Sequence, residues 1–314
     1  MGFYIFTYFC IAVFIAAVVR LVHRQLMLPL HVRWEIYPVQ HETAERTLYG
    51  GSYMEKMDWW KNKYESSPVN EVKYMVPEIL LLRGLWKGNR NLWRISFPFH
   101  LGLYLMTAAA VLLLLNALLI LMGSTAFAVD GVVKTIMDGL IFSVIWIGMI
   151  AGLIGCLGMF YKRLADRELR TYATFADYFN ITFIFTFFLF SLLSALFTDP
   201  SGEGAKAYFL GLLTAGGFPT GYTPGQSIFG VLTIVLGSLL IAYIPLTHMS
   251  HMFMKYFLYH KVKWDDAPNM PGSSTESMIA CNLKYKPTWK AGHIGADGNK
   301  SWQDIATSAP KETK

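Results

Sequence analysis

Five stretches of this chain are apolar enough, over enough residues, to cross a lipid bilayer, and nothing else in the sequence constrains the fold as strongly. About 20 consecutive apolar residues, wound as a helix, span the hydrocarbon. The runs are Phe3 to Val22, Phe97 to Met122, Thr135 to Tyr161, Phe175 to Phe197 and Ile228 to Leu258. The second contains the unbroken core Ala108 to Leu115, the fourth is rich in Phe, and the length of the fifth predicts a tilt or an extension beyond the hydrocarbon. Composition agrees: 54% of the 314 residues are hydrophobic and only 15% are charged, where a soluble domain carries about 25% charged residues. That apolar content excludes a disordered chain, and three cysteines over this length exclude a disulfide scaffold. The expected fold class is an all-α integral membrane protein of five transmembrane helices.

The first run has no basic segment before it and no small-residue cleavage site after it, which predicts a retained helix rather than a signal peptide. The net charge of +6 would suit a nucleic-acid binder if it lay on a soluble face, but its distribution says otherwise. Of the 27 Lys and Arg residues, 25 lie at Arg20 and in segments 24–96, 161–174 and 255–314, while the two remaining connections hold Lys134 and Lys206 alone. By the positive-inside rule the N-terminus is outside and the C-terminus is cytoplasmic. The chain then divides into helix 1 at 1–23, a cytoplasmic connection at 24–96, helices 2 to 5 at 97–122, 135–161, 175–197 and 228–258, and a cytoplasmic tail at 259–314.

The connection interleaves Trp34, Trp59, Trp60, Trp86 and Trp93 with charges. A structureless loop of that length is uncommon, so amphipathic interfacial helices are expected around Ser52–Tyr64 and Val72–Trp86. The tail is polar, with Pro268, Pro271 and Pro287, and its sparse apolar residues predict a segment ordered by a partner surface.

The histidines carry the functional argument. His31, His41 and His293 lie in polar segments, and His23 and His260 flank span ends, where interfacial snorkelling accounts for them. His100, His248 and His251 fall within apolar spans, where an imidazole needs a partner and marks a functional candidate. The topology brings the second span's start and the fifth span's end to one leaflet. Two neutral imidazoles on two helices at one depth are the donors a six-coordinate b-type haem requires, with the porphyrin between helices 2 and 5. Gly102 and Gly237 would let the flat macrocycle approach, and Arg94, Lys255 or Lys261 could meet the propionates. His248, three residues before His251, is equally readable as a proton relay or an interhelical hydrogen-bond donor. No Gly-rich phosphate loop, CxxC or CxxCH occurs.

These residues resemble those of the cytochrome b (gamma) subunits of membrane-bound respiratory nitrate reductases. The stretch Phe99-His100-Leu101-Gly102-Leu103 is similar to that family's first ligand motif, and Val235-Leu236-Gly237 through Pro245 to His251 is similar to its fifth-span motif. The resemblance implies that His100 and His251 are the axial ligands of a haem near the cytoplasm. The family's second haem takes histidines at the positions of Ala110 and Thr233 here, so a single b haem is expected. The tail from Tyr285 to Trp302 is similar to the C-terminus of membrane cytochrome b subunits in sulfate-reducer complexes of the Dsr, Hme, Tmc and Hmc types.

That second resemblance implies an inner-membrane location and a cytoplasmic iron–sulfur partner similar to the catalytic subunit of heterodisulfide reductase. It also implies a periplasmic multihaem cytochrome c as a further partner, and none with nucleic acid. The expected function is electron transfer between menaquinone and that iron–sulfur subunit, within a complex whose catalysis this chain does not perform alone. Quinone chemistry also needs proton acceptors, and His248, Asp177 and Asp138 are the candidates, although Asp177 equally suits a helix N-terminus. The alternative is a structural anchor whose haem does not turn over. A transporter is disfavoured, since neither a broken-helix pair nor an inverted repeat is visible.

Overall fold

A computed structural model describes residues 1–27, 43–49, 55, 57–58, 61, 67–217, 226–263 and 271–308. The helices are α1 (Gly2–Leu26), α2 (Ala44–Tyr49), α3 (Pro68–Leu80), α4 (Arg83–Gly88), α5 (Arg90–Leu121), α6 (Thr125–Ala128), α7 (Val132–Ala165), α8 (Arg167–Tyr172), α9 (Phe175–Phe197), α10 (Glu203–Leu213), α11 (Ile228–Tyr243), α12 (His251–Phe257), α13 (Ser274–Asn282) and α14 (Trp302–Thr307). Among the described residues no strand forms beyond one isolated bridge, Ala291 to Ala296. Five helices there are long and apolar enough to cross a membrane. Among the described residues the fold is helical, and the five spans make the chain a multi-pass membrane protein; side chains such as Phe9, Ile136, Ile154, Phe175 and Ile228 are exposed on these helices.

The chain forms two compact units, Met1–Val19 with Val76–Met249, and Arg20–Met75 with Ser250–Lys314. In the first, α5, α7, α9 and α11 pack in antiparallel succession, and glycines set how closely. A Cβ on Gly102 of α5 would overlap the backbone of Gly152 on α7, one on Gly155 would overlap Phe99, and one on Gly152 would overlap the Phe188 ring of α9. Lipid tails are as apolar as Leu, so helices in a bilayer associate through such close approach and through hydrogen bonds rather than through the hydrophobic effect. The core assembled there is Cys156, Ile181, Ile184, Phe188 and Leu240, with Phe99, Leu103 and Met106 against it. Gly102 therefore packs against α7, and a Cβ on Gly237 would meet the Phe187 ring.

Helix α1 joins this unit through buried polar groups. Thr7 Oγ1 lies 2.7 Å from both Tyr208 Oη and Ser238 Oγ, Tyr4 stacks on Tyr208 at 5.2 Å, and the Tyr8 hydroxyl donates to the Leu212 carbonyl. The partner on that side, α10, has no counterpart in the sequence reading. Its apolar stretch is too short to span and packs as a buried helix beside α5, with Tyr208, Leu210 and Leu212 buried.

The expected single fifth helix is interrupted. Regular helix ends at Tyr243, 3-10 turns cover Ile244–Leu246 and His248–Ser250, and α12 begins at His251. The cause is Pro245, which has no N–H for the Ile241 carbonyl and whose ring crowds that carbonyl. The amphipathic helix expected over Val72–Trp86 is likewise two pieces, α3 and α4, separated at Leu82, whose φ of 52° is left-handed. The one expected over Ser52–Tyr64 lies largely outside the described residues, as do Trp34, Trp59 and Trp60.

In the second unit, His260 Nε2 lies 3.2 Å from Glu71 Oε1, and the Tyr74 and Tyr259 rings meet edge-on at 5.6 Å. The tail holds more local structure than its composition suggested. Trp302 N donates to the Tyr285 carbonyl and Gln303 N to that of Leu283, while Pro287, Ala296 and Ile305 are buried. Ser301 and Asp304 form a capping box on α14.

Candidate functional site

His100 sits on α5 at the end where that helix begins, with its ring held from its own turn. Nδ1 is 2.8 Å from the Ser96 carbonyl and 3.3 Å from Ser96 Oγ. A carbonyl oxygen can only accept, so Nδ1 carries a proton, and in the neutral imidazole the lone pair is then on Nε2. That is the arrangement in which a metal-ligating imidazole is oriented by an outer-shell acceptor. Ser96 is buried, the Phe99 ring stands edge-on to the imidazole at 5.2 Å, and Tyr104 follows one turn later with its hydroxyl donating to the Ile79 carbonyl at 2.8 Å. The other candidate ligand, His251, belongs to the second unit, where it opens α12 with an exposed side chain. The chemistry of His100 fits an axial nitrogen donor. Of the basic residues considered for the propionates, Arg94 is exposed near the start of α5 and Lys255 is half-buried in α12; the Lys261 side chain lies outside the described residues.

The same end of the first unit carries a polar cluster linking α7, α9 and the turns after α11. Asp177 is its anchor. One carboxylate oxygen accepts from the Thr174 backbone N–H at 2.9 Å and hydroxyl at 2.8 Å, completing a capping box, and the other lies 2.9 Å from Arg163 Nη1. The bland sequence reading of Asp177 as a helix-terminal charge is thus part of its structural role. His248 Nε2 is 4.0 Å from the second oxygen. Its ring also lies 3.4 Å from Asn180 Nδ2, and Asn180 Oδ1 accepts from the Tyr243 hydroxyl at 2.7 Å.

Asp138 lies elsewhere. It is twenty-five residues before Arg163 on α7, about 37 Å of helical rise at ~1.5 Å per residue. Its Oδ1 pairs with Lys206 Nζ at 2.7 Å and its Oδ2 lies 3.9 Å from Lys134. The three acid–base candidates therefore make two sites, His248 with Asp177 at one end of the bundle and Asp138 at the other.

Sequence reasoning centred on histidine missed Arg163, Asn180 and Tyr243 in the first cluster and Asn116 and Lys206 near the second. The signal for the two asparagines was available, since an amide inside an apolar run must find a partner. Among the described residues no group of three or more His, Cys, Asp or Glu side chains is placed to hold a metal ion. No protein-family model, curated protein or solved structure matches this chain.

Proposed function

We propose that the chain is the haem b membrane subunit of a respiratory complex, lying in the cytoplasmic membrane and moving electrons between menaquinone and a cytoplasmic iron–sulfur subunit. The observation that supports this best is the imidazole of His100, inside an apolar helix and tied at Nδ1 to the Ser96 carbonyl. A b haem supplies one-electron transfer, with its potential tuned by its axial ligands and their hydrogen bonds. In this reading His100 and His251 are the residues that would hold the iron, and the end of the first unit carrying His100 faces the cytoplasm. The Ser96 carbonyl fixes the His100 tautomer and keeps its ring from rotating. His248, backed by Asn180 and standing 4.0 Å from an Asp177 already ion-paired to Arg163, is placed to exchange a proton with water at that interface. The folded tail supplies a docking surface for the iron–sulfur subunit.

The alternative, a structural anchor with an inert haem, draws its support from that tail, whose Trp289, Trp302, Tyr285 and Leu283 side chains are exposed. Purification with native partners, a pyridine haemochrome assay and a reduced-minus-oxidised spectrum test the proposal. One b haem per chain, reduced by a menaquinol analogue, is expected. A haem that menaquinol cannot reduce would transfer the case to the anchor, and a chain without haem would end both readings.

A further inference from the structure

Between Glu78 and Asp130 the chain contains no Asp or Glu, and the first part of that stretch gathers positive charge. Arg83 and Lys87 lie one turn apart on α4, Arg90 and Arg94 one turn apart on α5, and all four side chains are exposed. None of the four forms an ion pair among the described residues. Lys134, Lys162, Arg163 and Lys206, by contrast, each pair with a carboxylate.

The corner that carries these charges is tied together and aromatic. Glu78 Oε2 accepts from the Gly84 backbone N–H at 2.8 Å, which closes the turn between α3 and α4. Asn89 caps α5 by accepting from the Leu92 N–H at 3.0 Å, and Trp93 Nε1 donates to the Leu81 carbonyl at 2.8 Å. The Trp86 and Trp93 rings meet edge-on at 4.6 Å, and Trp93 stacks on Phe97 at 4.7 Å. The Arg90 guanidinium lies 4.9 Å from the centre of the Trp86 ring. A guanidinium stacked by one face on an indole keeps its N–H edge free for an oxyanion, and phosphate is a partner that this fork fits.

The surface beside the charges narrows the ligand further. Val76, Leu80, Leu81 and Trp86 are 41–54% exposed, and indole rings favour the boundary between headgroups and hydrocarbon. A free phosphate ion would meet the charges and leave that apolar surface in water. A phospholipid answers to both. With four bases against the single carboxylate of Glu78, a headgroup of net negative charge is preferred over a zwitterionic one.

We propose that the α4–α5 corner binds an anionic phospholipid. Arg90, on its indole platform, holds the phosphate, Arg83 and Lys87 add to the field, and the acyl chains lie against Leu80, Leu81 and Trp86. The inference goes beyond the electron-transfer reading and takes from it only the leaflet, the cytoplasmic one. Such a lipid fixes the depth at which α5 enters the bilayer, and with it the depth of His100, ten residues on from Arg90.

The test titrates the full chain in dodecyl maltoside with dioctanoyl phosphatidylglycerol and counts bound lipid by native mass spectrometry. The wild type should bind it about tenfold more tightly than dioctanoyl phosphatidylcholine. A basic side chain near an anionic headgroup contributes about fivefold in affinity. Arg90→Gln should therefore weaken binding about fivefold, and the double variant Lys87→Gln with Arg90→Gln about twenty-five-fold, at unchanged haem content. Trp86→Leu, which removes the platform, should weaken it about twofold to fivefold. Lys162→Gln removes a charge already paired with Asp166 and should leave affinity as it was. Wild-type affinity in the double variant, or equal binding of the two lipids, overturns the site. Displacement of the lipid by an equal concentration of inorganic phosphate overturns the lipid assignment. Loss of a co-purified acidic subunit from the double variant, with lipid affinity unchanged, gives the corner to a protein instead. Haem content and menaquinol reduction are read separately on the same samples, so failure of the lipid site is distinguishable from failure of the electron-transfer proposal.

Discussion

His100 shows how much a single side chain's function depends on its neighbours. The sequence places an imidazole in an apolar helix; the bond from Nδ1 to the Ser96 carbonyl selects the tautomer of its neutral form. Two substitutions separate the roles. His100→Ala should abolish haem binding, seen as loss of the Soret band in purified protein. Ser96→Ala keeps the backbone acceptor and removes only the longer 3.3 Å contact, so it should retain the haem with a shifted midpoint potential. Full haem content in His100→Ala would rule that residue out as a ligand. The position of His100 was legible from sequence because a histidine in hydrocarbon stands out. The cluster of Asn180, Tyr243 and Arg163 was not, because those residues are far apart in the chain and meet only when α7, α9 and α11 pack.

Among the elements, the α5–α7 contact and the break after α11 have the largest consequences. Gly152 sits where both Gly102 and the Phe188 ring approach its Cα. A small substitution there should be tolerated poorly and a large one hardly at all. Gly152→Ala should lower the thermal midpoint in detergent, and Gly152→Leu should prevent recovery of folded protein, since overpacking a tight core typically costs about 1–3 kcal/mol and more where backbones meet. A Gly152→Leu protein as stable as wild type would show that α5 and α7 pack differently. Pro245 decides the other feature. Pro245→Ala restores a backbone donor and removes a residue about 3 kcal/mol less favourable than Ala in a helix interior. The variant should gain thermal stability as α11 extends, and should lose haem occupancy as His251 is turned to another face. Unchanged occupancy would show that the break has no part in placing that residue. The sequence carried the proline in plain view, but a hydropathy run reads straight through it.

At the scale of the whole molecule, the two units answer to different physics. The first is held by close backbone approach and buried hydrogen bonds in lipid. In the tail, caps and turns in water do more of the work, so it should respond to acid. Hydrogen bonds from the Asn299 and Lys300 backbones to the Asp297 carboxylate lower its pKa, and the Ser301 hydroxyl and backbone do the same for Asp304. Both carboxylates favour the folded tail when ionised, so their contribution is complete above the ordinary aspartate value of about 3.9 and is lost as the pH falls through their lower folded values. Limited proteolysis should therefore leave 283–308 intact in the wild type at neutral pH and cut it faster in Asp297→Asn with Asp304→Asn. Equal rates would mean that other contacts hold the tail. By itself the sequence determined the five membrane helices, because an apolar run of sufficient length has one low-energy solution in hydrocarbon whatever its neighbours are. Only the tertiary structure decided that α10 is a buried short helix and that Gly102 packs against Gly152. Those outcomes depend on which side chains meet across helices, and a linear pattern does not encode that meeting.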